Sequence, residues 1–188
     1  MKIIVTDIES NGLLRQDGAK FHCAWVADIS EGDEPVMLGF RPEQVKEYIT
    51  YLSDADIIIG HNSMGFDIPF LRLYCGLKYE GVQLDTMHMY RFLDPSRKNS
   101  SLKALAKEAK GQGKTSFDDA EDENEQWAEF TEGMYNYCKD DVLATLSGFL
   151  YLTKRLSFNF RDEDVVQEYL FFNGDINAIK RKQQGTAA

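Results

Sequence analysis

Two carboxylates stand two positions apart near the N-terminus, at Asp7 and Glu9, directly after the apolar segment Lys2–Thr6. Because alternate residues of a β-strand point to one face, both acids would continue the face that carries Ile3 and Val5. Like charges on a partly buried face repel each other, so this pair indicates a site that holds cations. The alternative interpretation is that the strand simply ends here and that both side chains reach into water without a catalytic or metal-binding role.

A third carboxylate, Asp67, follows the segment Asp56–Gly60, whose three consecutive isoleucines are typical of a buried strand. Sites of α/β proteins form in the crevice beyond the carboxyl ends of such strands. The same residue also suits the N-cap of a helix that we predict from Asp67 to Leu77. Taken alone, Asp67 favours the capping interpretation.

The sharpest pair is Tyr137 and Asp141, which share one face of a helix predicted from about Glu132 to Leu156. Burying a lone carboxylate at this position would cost on the order of several kcal/mol unless it is paired or binds a metal. Asp140 is turned about 100° away from Asp141 and is predicted to face solvent. The apolar stripe beside Asp141 comprises Met134, Cys138, Val142, Thr145 and Phe149.

These four acids come from three segments that could meet at one end of a sheet. Such a cluster is stable only with cations, and oxygen ligands favour Mg²⁺ or Mn²⁺ over zinc. Two such ions, roughly 3.5–4 Å apart, clamp the attacking and leaving oxygens when a phosphodiester is cleaved. The pattern therefore indicates metal-dependent phosphodiester chemistry.

The elements around these residues predict an α/β fold. Strand-like segments at Lys2–Thr6, Phe21–Ile29 and Pro35–Phe40 suggest an antiparallel meander, and helices alternate with short strands after it. We therefore expect a mixed β-sheet, with a meander and parallel strands, flanked by α-helices. The chain of 188 residues suits one domain, which we place at residues 1–172, followed by a flexible tail at 173–188.

Charge and composition limit the partners. The net charge of −10 argues against nucleic acid, yet residues 91–114 contain seven basic and two acidic residues. Lys103, Lys107 and Lys110 share one face of a predicted helix from Leu102 to Lys110, and could follow a phosphate backbone or merely be solvated. With neither a signal peptide nor a membrane span predicted, we expect a cytoplasmic monomer that does not bind membranes.

Three ordered motifs resemble those of the DnaQ-like exonuclease superfamily, which has a ribonuclease-H-like fold. The segment Asp7-Ile-Glu-Ser-Asn-Gly-Leu13 is similar to its first motif, and Asn62-Ser-Met-Gly-Phe66-Asp67 is similar to its second. Tyr137-Cys-Lys-Asp-Asp141 resembles the third motif in its tyrosine form, and Asn136 occupies the position where the sister subgroup has histidine. Together the motifs cover about residues 2–156, and three in order are far more specific than one.

The resemblance is strongest to the proofreading domain of phage DNA polymerases of the polymerase-I family, through Lys20–Cys23, His61-Asn62 and Leu84–Thr86. It implies that two divalent cations, Mg²⁺ or Mn²⁺, are bound by four acids and that Tyr137 positions the nucleophilic water. The acids are Asp7, Glu9, Asp67 and Asp141.

The same resemblance implies a site for the 3′ end of single-stranded DNA. Ser10 and Leu13 would contact the terminal nucleotide, with Leu13 packing on its base. Asn62 and Phe66 would hold the penultimate region, and His61 beside them would also touch substrate. The expected partners are DNA and a separate DNA polymerase subunit, in the cytoplasm of a host cell if a phage encodes the protein.

Two other functions remain open at this stage. The same metal site would serve a 3′→5′ exoribonuclease similar to ribonuclease D, because the scissile phosphate is alike in DNA and RNA. A silent subunit that only binds DNA or a polymerase would be expected to lack one or more acids, whereas Tyr137 and all four acids are present. The chain would be either a free-standing exonuclease or a domain of a polymerase.

Overall fold

The computed structural model describes residues 1–32, 34–109 and 127–171. Lys110, the loop 111–117 with its Lys114, and the predicted tail 173–188 lie outside these described residues. In chain order the elements are β1 (Ile3–Ser10), β2 (Phe21–Asp28), β3 (Val36–Phe40), a 3₁₀ turn (Pro42–Gln44), α1 (Val45–Ser53), β4 (Ile57–Gly60), α2 (Asp67–Tyr74), β5 (Val82–Asp85), α3 (Thr86–Leu93), α4 (Leu102–Ala109), α5 (Glu132–Leu156) and α6 (Glu163–Phe171).

The five strands form one mixed sheet in the order β3-β2-β1-β4-β5. Strand β1 lies at its centre, antiparallel to β2 on one side and parallel to β4 on the other. Strand β3 extends the antiparallel meander, and β5 extends the parallel half. The predicted mixed sheet with flanking helices is confirmed.

Alternation along β1 divides the interior into two cores. Ile3 and Val5 face α5, where they join a cluster that includes Phe149. Ile4 and Ile8 face the opposite way, into the cluster formed with helices α1 and α2. Asp7 and Glu9 follow Ile3 and Val5 on the α5 face, so helix α5 decides what surrounds them.

Strand β1 is longer at its carboxyl end than the sequence predicts. Pairing with β2 continues through Ile8 opposite Ala24 and Glu9 opposite Cys23. Asp7 and Glu9 therefore lie inside a paired strand rather than beyond its end. Both acids are partly buried, which argues against two side chains that simply reach into water.

Helix α2 ends at Tyr74, three residues before the predicted end. Gly76 adopts a left-handed conformation with φ of 75°, which a side chain would strain. The N–H of Leu77 then donates to the carbonyl of Leu71 at 3.1 Å, and the N–H of Cys75 donates to the same oxygen at 3.0 Å. This glycine termination stops the helix.

Helix α5 has the predicted bounds, Glu132–Leu156, and begins at Thr131, whose side chain accepts from the N–H of Met134. Its predicted stripe is confirmed as buried, and Asp140 is exposed as expected. Among the described residues, no helix is both long and apolar enough to cross a membrane.

Candidate active site

Asp7 and Glu9 lie on the face of β1 that α5 covers. Their cross-strand partners on β2 are Trp25 and Cys23, which place one aromatic ring and one thiol on the same face. Cys23 packs against Cys138 and Met134 of α5 in a small third core. The two acids thus sit at the open edge of an otherwise apolar interface.

Asp67 joins this pair from helix α2. Its side chain is only 4% exposed, and its Oδ1 atom accepts a hydrogen bond from the N–H of Ile8 at 3.2 Å. Ile8 stands between Asp7 and Glu9, so this bond fixes Asp67 beside both. Phe66 occupies the N-cap position, and its side chain forms no capping bond. Asp67 is therefore more than the helix cap that it resembles in the sequence.

Helix α5 brings Tyr137 and Asp141 to the same edge. The Tyr137 hydroxyl lies near the Asp141 carboxylate and partly offsets the burial that raises the pKa of Asp141, as their spacing of four residues allows. Tyr137 is 45% exposed, and the edge of Trp127 packs against its ring at 6.1 Å between centroids. The hydroxyl is thus held beside the acids and remains accessible to water.

The four acids repel one another in a poorly hydrated setting. Burial, followed by the charges of Asp67, Glu9 and Asp141, holds the pKa of Asp7 well above its usual range. Burial is also the largest cause that raises the pKa of Glu9 to about 9, of Asp67 to about 7 and of Asp141 to about 6. Burial and the negative charge of Asp141 raise the pKa of Tyr137. Such carboxylates ionise together only when cations offset their charge.

The donor set fits hard divalent cations. The charges of Asp67 and Asp141 both raise the pKa values of Asp7 and Glu9, so the four carboxylates, which come from β1, α2 and α5, lie near one another. Mg²⁺ prefers such oxygen ligands and keeps part of its water shell, which the open edge of the site permits. These are the residues that would hold the predicted cations.

Cys138 is the residue in this neighbourhood that the sequence interpretation missed, because its spacing places it within the core stripe of α5. It is fully buried. Its thiol donates to the backbone carbonyl of Asp7 at 3.4 Å and lies 3.8 Å from the Asp7 Oδ2 atom. No spacing rule links residues 7 and 138, so only the packing of α5 on β1 reveals the contact.

Asp85 is a second supporting residue, whose place directly before helix α3 suits an N-cap. It does cap α3 by accepting from the N–H of Met87 at 2.9 Å. The same carboxylate, 1% exposed, also accepts from the N–H groups of Asn62 at 2.9 Å and Met64 at 3.1 Å. Asp85 therefore holds the connection that leads from β4 to Asp67.

The predicted nucleotide contacts differ in how exposed their side chains are. Leu13 is 72% exposed in the β1–β2 connection, and the Ser10 hydroxyl donates to the carbonyl of Gly12 at 2.9 Å. Asn62 is exposed and has a left-handed backbone with φ of 59°. Phe66 is partly buried against Phe70, with 5.8 Å between ring centroids. Leu13 and Asn62 leave most surface available to a ligand.

Two other groups of predicted contacts are placed less directly. His61 is partly buried, and its Nδ1 atom is 2.9 Å from the Thr86 hydroxyl, so at least one ring nitrogen is engaged within the protein. Lys103 and Lys107 are exposed on α4, whose Leu105 and Ala106 are buried. The third lysine of that face, Lys110, is outside the described residues.

Solved structures with the same fold are nucleases. Three structures of Brucella melitensis NrnC, without a named ligand, with pGG bound and with Mg²⁺ bound, match with TM-scores of 0.61, 0.60 and 0.55. They are 16%, 14% and 16% identical, and each match covers 94% of this chain and 85% of the other. At this identity the likeness concerns the fold, and it agrees with the expected ribonuclease-H-like class.

A relative at the sequence level is DNA polymerase I B, chloroplastic/mitochondrial, of Arabidopsis thaliana, which is 33% identical over 96 residues. That match covers 50% of this chain and 8% of the polymerase. The model of the 3′-5′ exonuclease family matches residues 7–157, from the first acid of the site to the end of α5. The predicted nuclease class of enzyme is confirmed, and the chain belongs to the 3′-5′ exonuclease family.

Proposed function

We propose that this protein hydrolyses DNA from single-stranded or frayed 3′ ends and releases 5′-mononucleotides. The observation that carries the proposal is the convergence of Asp7, Glu9, Asp67 and Asp141 beside the accessible Tyr137 hydroxyl. The 96-residue match to a DNA polymerase supports DNA as the substrate.

In this proposal the four acids hold two divalent cations, Mg²⁺ or Mn²⁺. When bound, these ions supply Lewis-acid stabilisation for the attacking and leaving oxygens of the phosphodiester. Asp67, fixed by the N–H of Ile8 at 3.2 Å, keeps its carboxylate aligned with Asp7 and Glu9. Such preorganisation matters because small displacements of a reacting group slow a reaction strongly.

Tyr137 has the role of orienting the attacking water. Its hydroxyl lies near the Asp141 carboxylate, and the Tyr137 side chain is partly open to solvent. The raised pKa keeps the phenol protonated at neutral pH, so Tyr137 positions water through hydrogen bonds and does not remove its proton. Leu13, which is 72% exposed, is the proposed surface for the terminal base, and the exposed Asn62 is the proposed contact for the preceding nucleotide.

Proofreading for a DNA polymerase is the proposed biological setting. The support is the likeness to the polymerase relative and, from the sequence, to phage polymerase domains. The proposed partners are therefore a single-stranded DNA 3′ end and a DNA polymerase, with the nuclease itself a monomer in the cytoplasm.

A second candidate substrate is RNA, because NrnC, which shares the fold, has been solved with pGG bound.

The decisive experiment uses DNA and RNA single strands of matched sequence, labelled at the 3′ or the 5′ end, with Mg²⁺, Mn²⁺ or chelator. We expect metal-dependent loss from the 3′ end of DNA, with 5′-mononucleotide products. Faster hydrolysis of RNA would transfer the proposal to an exoribonuclease, and shortening from the 5′ end would overturn it. Asp7→Asn provides the matched inactive control.

A further inference from the structure

A sulfur atom accompanies the oxygen ligands at one side of the acidic site. One carboxylate oxygen each from Asp7 and Glu9, together with the sulfur of Cys138, lie within 4.8 Å of one another. The three residues come from β1 and α5, which pack directly together. A magnesium site has no need of a thiol, since Mg²⁺ prefers oxygen ligands.

The spacing of these atoms suits a smaller coordination sphere that contains sulfur. Zinc binds thiolate sulfur at about 2.3 Å and carboxylate oxygen at about 2.0–2.2 Å, so a tetrahedral ion separates the two ligand atoms by about 3.6 Å. The observed separation between the Cys138 sulfur and the Asp7 Oδ2 atom is 3.8 Å.

We propose that Asp7, Glu9 and Cys138 form a site for a thiophilic divalent cation of the Zn²⁺ or Cd²⁺ class, which inhibits the protein. Coordination replaces the S–H hydrogen bond to Asp7 by a sulfur–metal bond, and the thiol proton is released to solvent. A soft ligand such as thiolate favours these ions over Mg²⁺. Inhibition rests on the proposed function, because the ion would occupy Asp7 and Glu9. Binding of the ion does not depend on that function.

The other two cysteines provide matched controls. Cys23 is buried opposite Glu9 on β2, but its sulfur is not among the three ligand atoms. Cys75 follows helix α2 and belongs to the core on the other face of the sheet. Cys75→Ser therefore removes a thiol without touching the site, and Cys23→Ser removes a buried neighbour of Cys138.

The direct test is titration of metal-free protein with Cd²⁺, followed by ultraviolet absorbance of the thiolate-to-cadmium charge transfer. We expect one equivalent of this band in the wild type, Cys75→Ser and Cys23→Ser, and none in Cys138→Ser. Zn²⁺ affinity, measured by competition with a chromophoric chelator, should fall roughly tenfold or more in Cys138→Ser. Cys138→Ala is the second variant if the serine hydroxyl disturbs the core, and circular dichroism verifies the fold of each.

Inhibition is measured separately, with each variant's own Mg²⁺-supported rate as its reference. The Zn²⁺ concentration for half-inhibition should rise roughly tenfold in Cys138→Ser. A full cadmium band in Cys138→Ser, or no band in the wild type, would overturn the site. If the wild type shows the band and Cys138→Ser shows the loss of Zn²⁺ affinity, but the wild type has no nuclease activity, the proposed function fails and the thiophilic site stands.

Discussion

The Asp67 carboxylate accepts its hydrogen bond from the backbone N–H of Ile8, at 3.2 Å. Ile8 lies between the two acids of β1, and its own side chain points into the opposite core. The strand's backbone therefore orients Asp67, while the strand's side chains supply the neighbouring carboxylates. This arrangement separates the structural role of Asp67 from its charge, and the two can be tested independently.

Asp67→Asn should keep the acceptor oxygen for Ile8 and remove only the charge. We expect metal-free stability at pH 8 to be equal or higher, since a repelling carboxylate is gone, and hydrolysis to fall by at least about 100-fold with loss of a metal ligand. Asp67→Ala should also lose about 1–2 kcal/mol of stability, because the buried N–H of Ile8 is left unpaired. Denaturant unfolding in chelator and steady-state rates measure both effects. Equal stability of the two variants would contradict the structural role.

Tyr137→Phe should retain the ring's packing against Trp127 and lose the hydroxyl. We expect the rate to fall about tenfold, because one hydrogen bond to an uncharged group is worth on the order of 1–1.5 kcal/mol. Mn²⁺ affinity, measured by calorimetry, should change little, since no ligand is removed. Tyr135→Phe is the control, because Tyr135 is on the same helix but packs against Trp25. A Tyr137→Phe variant that fails to bind metal would refute the assigned role.

The metal-free protein should lose stability as pH rises. The pKa values of Asp141, Asp67 and Glu9 in the folded state, about 6, about 7 and about 9, all exceed the ordinary values of 3.8 for Asp and 4.5 for Glu. At pH values between the ordinary and the raised pKa values, the folded state therefore binds more protons than the unfolded state. The stability of the metal-free protein is greatest below the ordinary pKa values and falls as the pH passes through the raised ones.

Denaturant midpoints in chelator from about pH 5 to about pH 9 measure this loss. Mg²⁺ should restore stability most at the alkaline end, where the site is most negative. Asp141→Asn should reduce the slope of stability against pH at the acidic end of the profile. Asp140→Asn, at an exposed position, is the matched control. A flat profile in the wild type would show that the acids are better hydrated than their burial indicates.

The lysines of the predicted helix 102–110 test the path of the DNA strand. Replacing Lys103, Lys107 and Lys110 by alanine should reduce the slope of log affinity against log salt by about 0.7 for each DNA phosphate that a lysine no longer neutralises. Binding of single-stranded DNA with Ca²⁺ in place of the active metal gives the slope. The control replaces Lys46 and Lys154, which lie on α1 and at the end of α5. An unchanged slope would show that these lysines are solvated surface residues. The assignment of the acidic site would not be affected.

Periodicity and motif order predicted the sheet, the bounds of α5 and the pairing of Tyr137 with Asp141. Those features depend on local rules, because strands alternate by two and helices return after four residues. The contact of Cys138 with Asp7 escaped prediction, and so did the two bonds that Asp85 accepts from the N–H groups of Asn62 and Met64. Each depends on how distant segments pack, and a thiol in an apolar stripe looks like any other core residue. The sequence analysis underestimated the length of β1, because Asp7 and Glu9 interrupt its apolar pattern. The backbone nevertheless continues to pair with β2 at both residues.

The separation between Asp7 and Cys138, 131 positions along the chain, has a consequence for biosynthesis. Contacts of such high sequence separation form late in folding, because a long loop must close first. A nascent chain that has not yet reached α5 carries Asp7, Glu9 and Asp67 but lacks Tyr137 and Asp141. The proposed hydrolytic centre is thus complete only when the ribosome has delivered α5, and a prematurely terminated product would not degrade nucleic acid by the proposed mechanism.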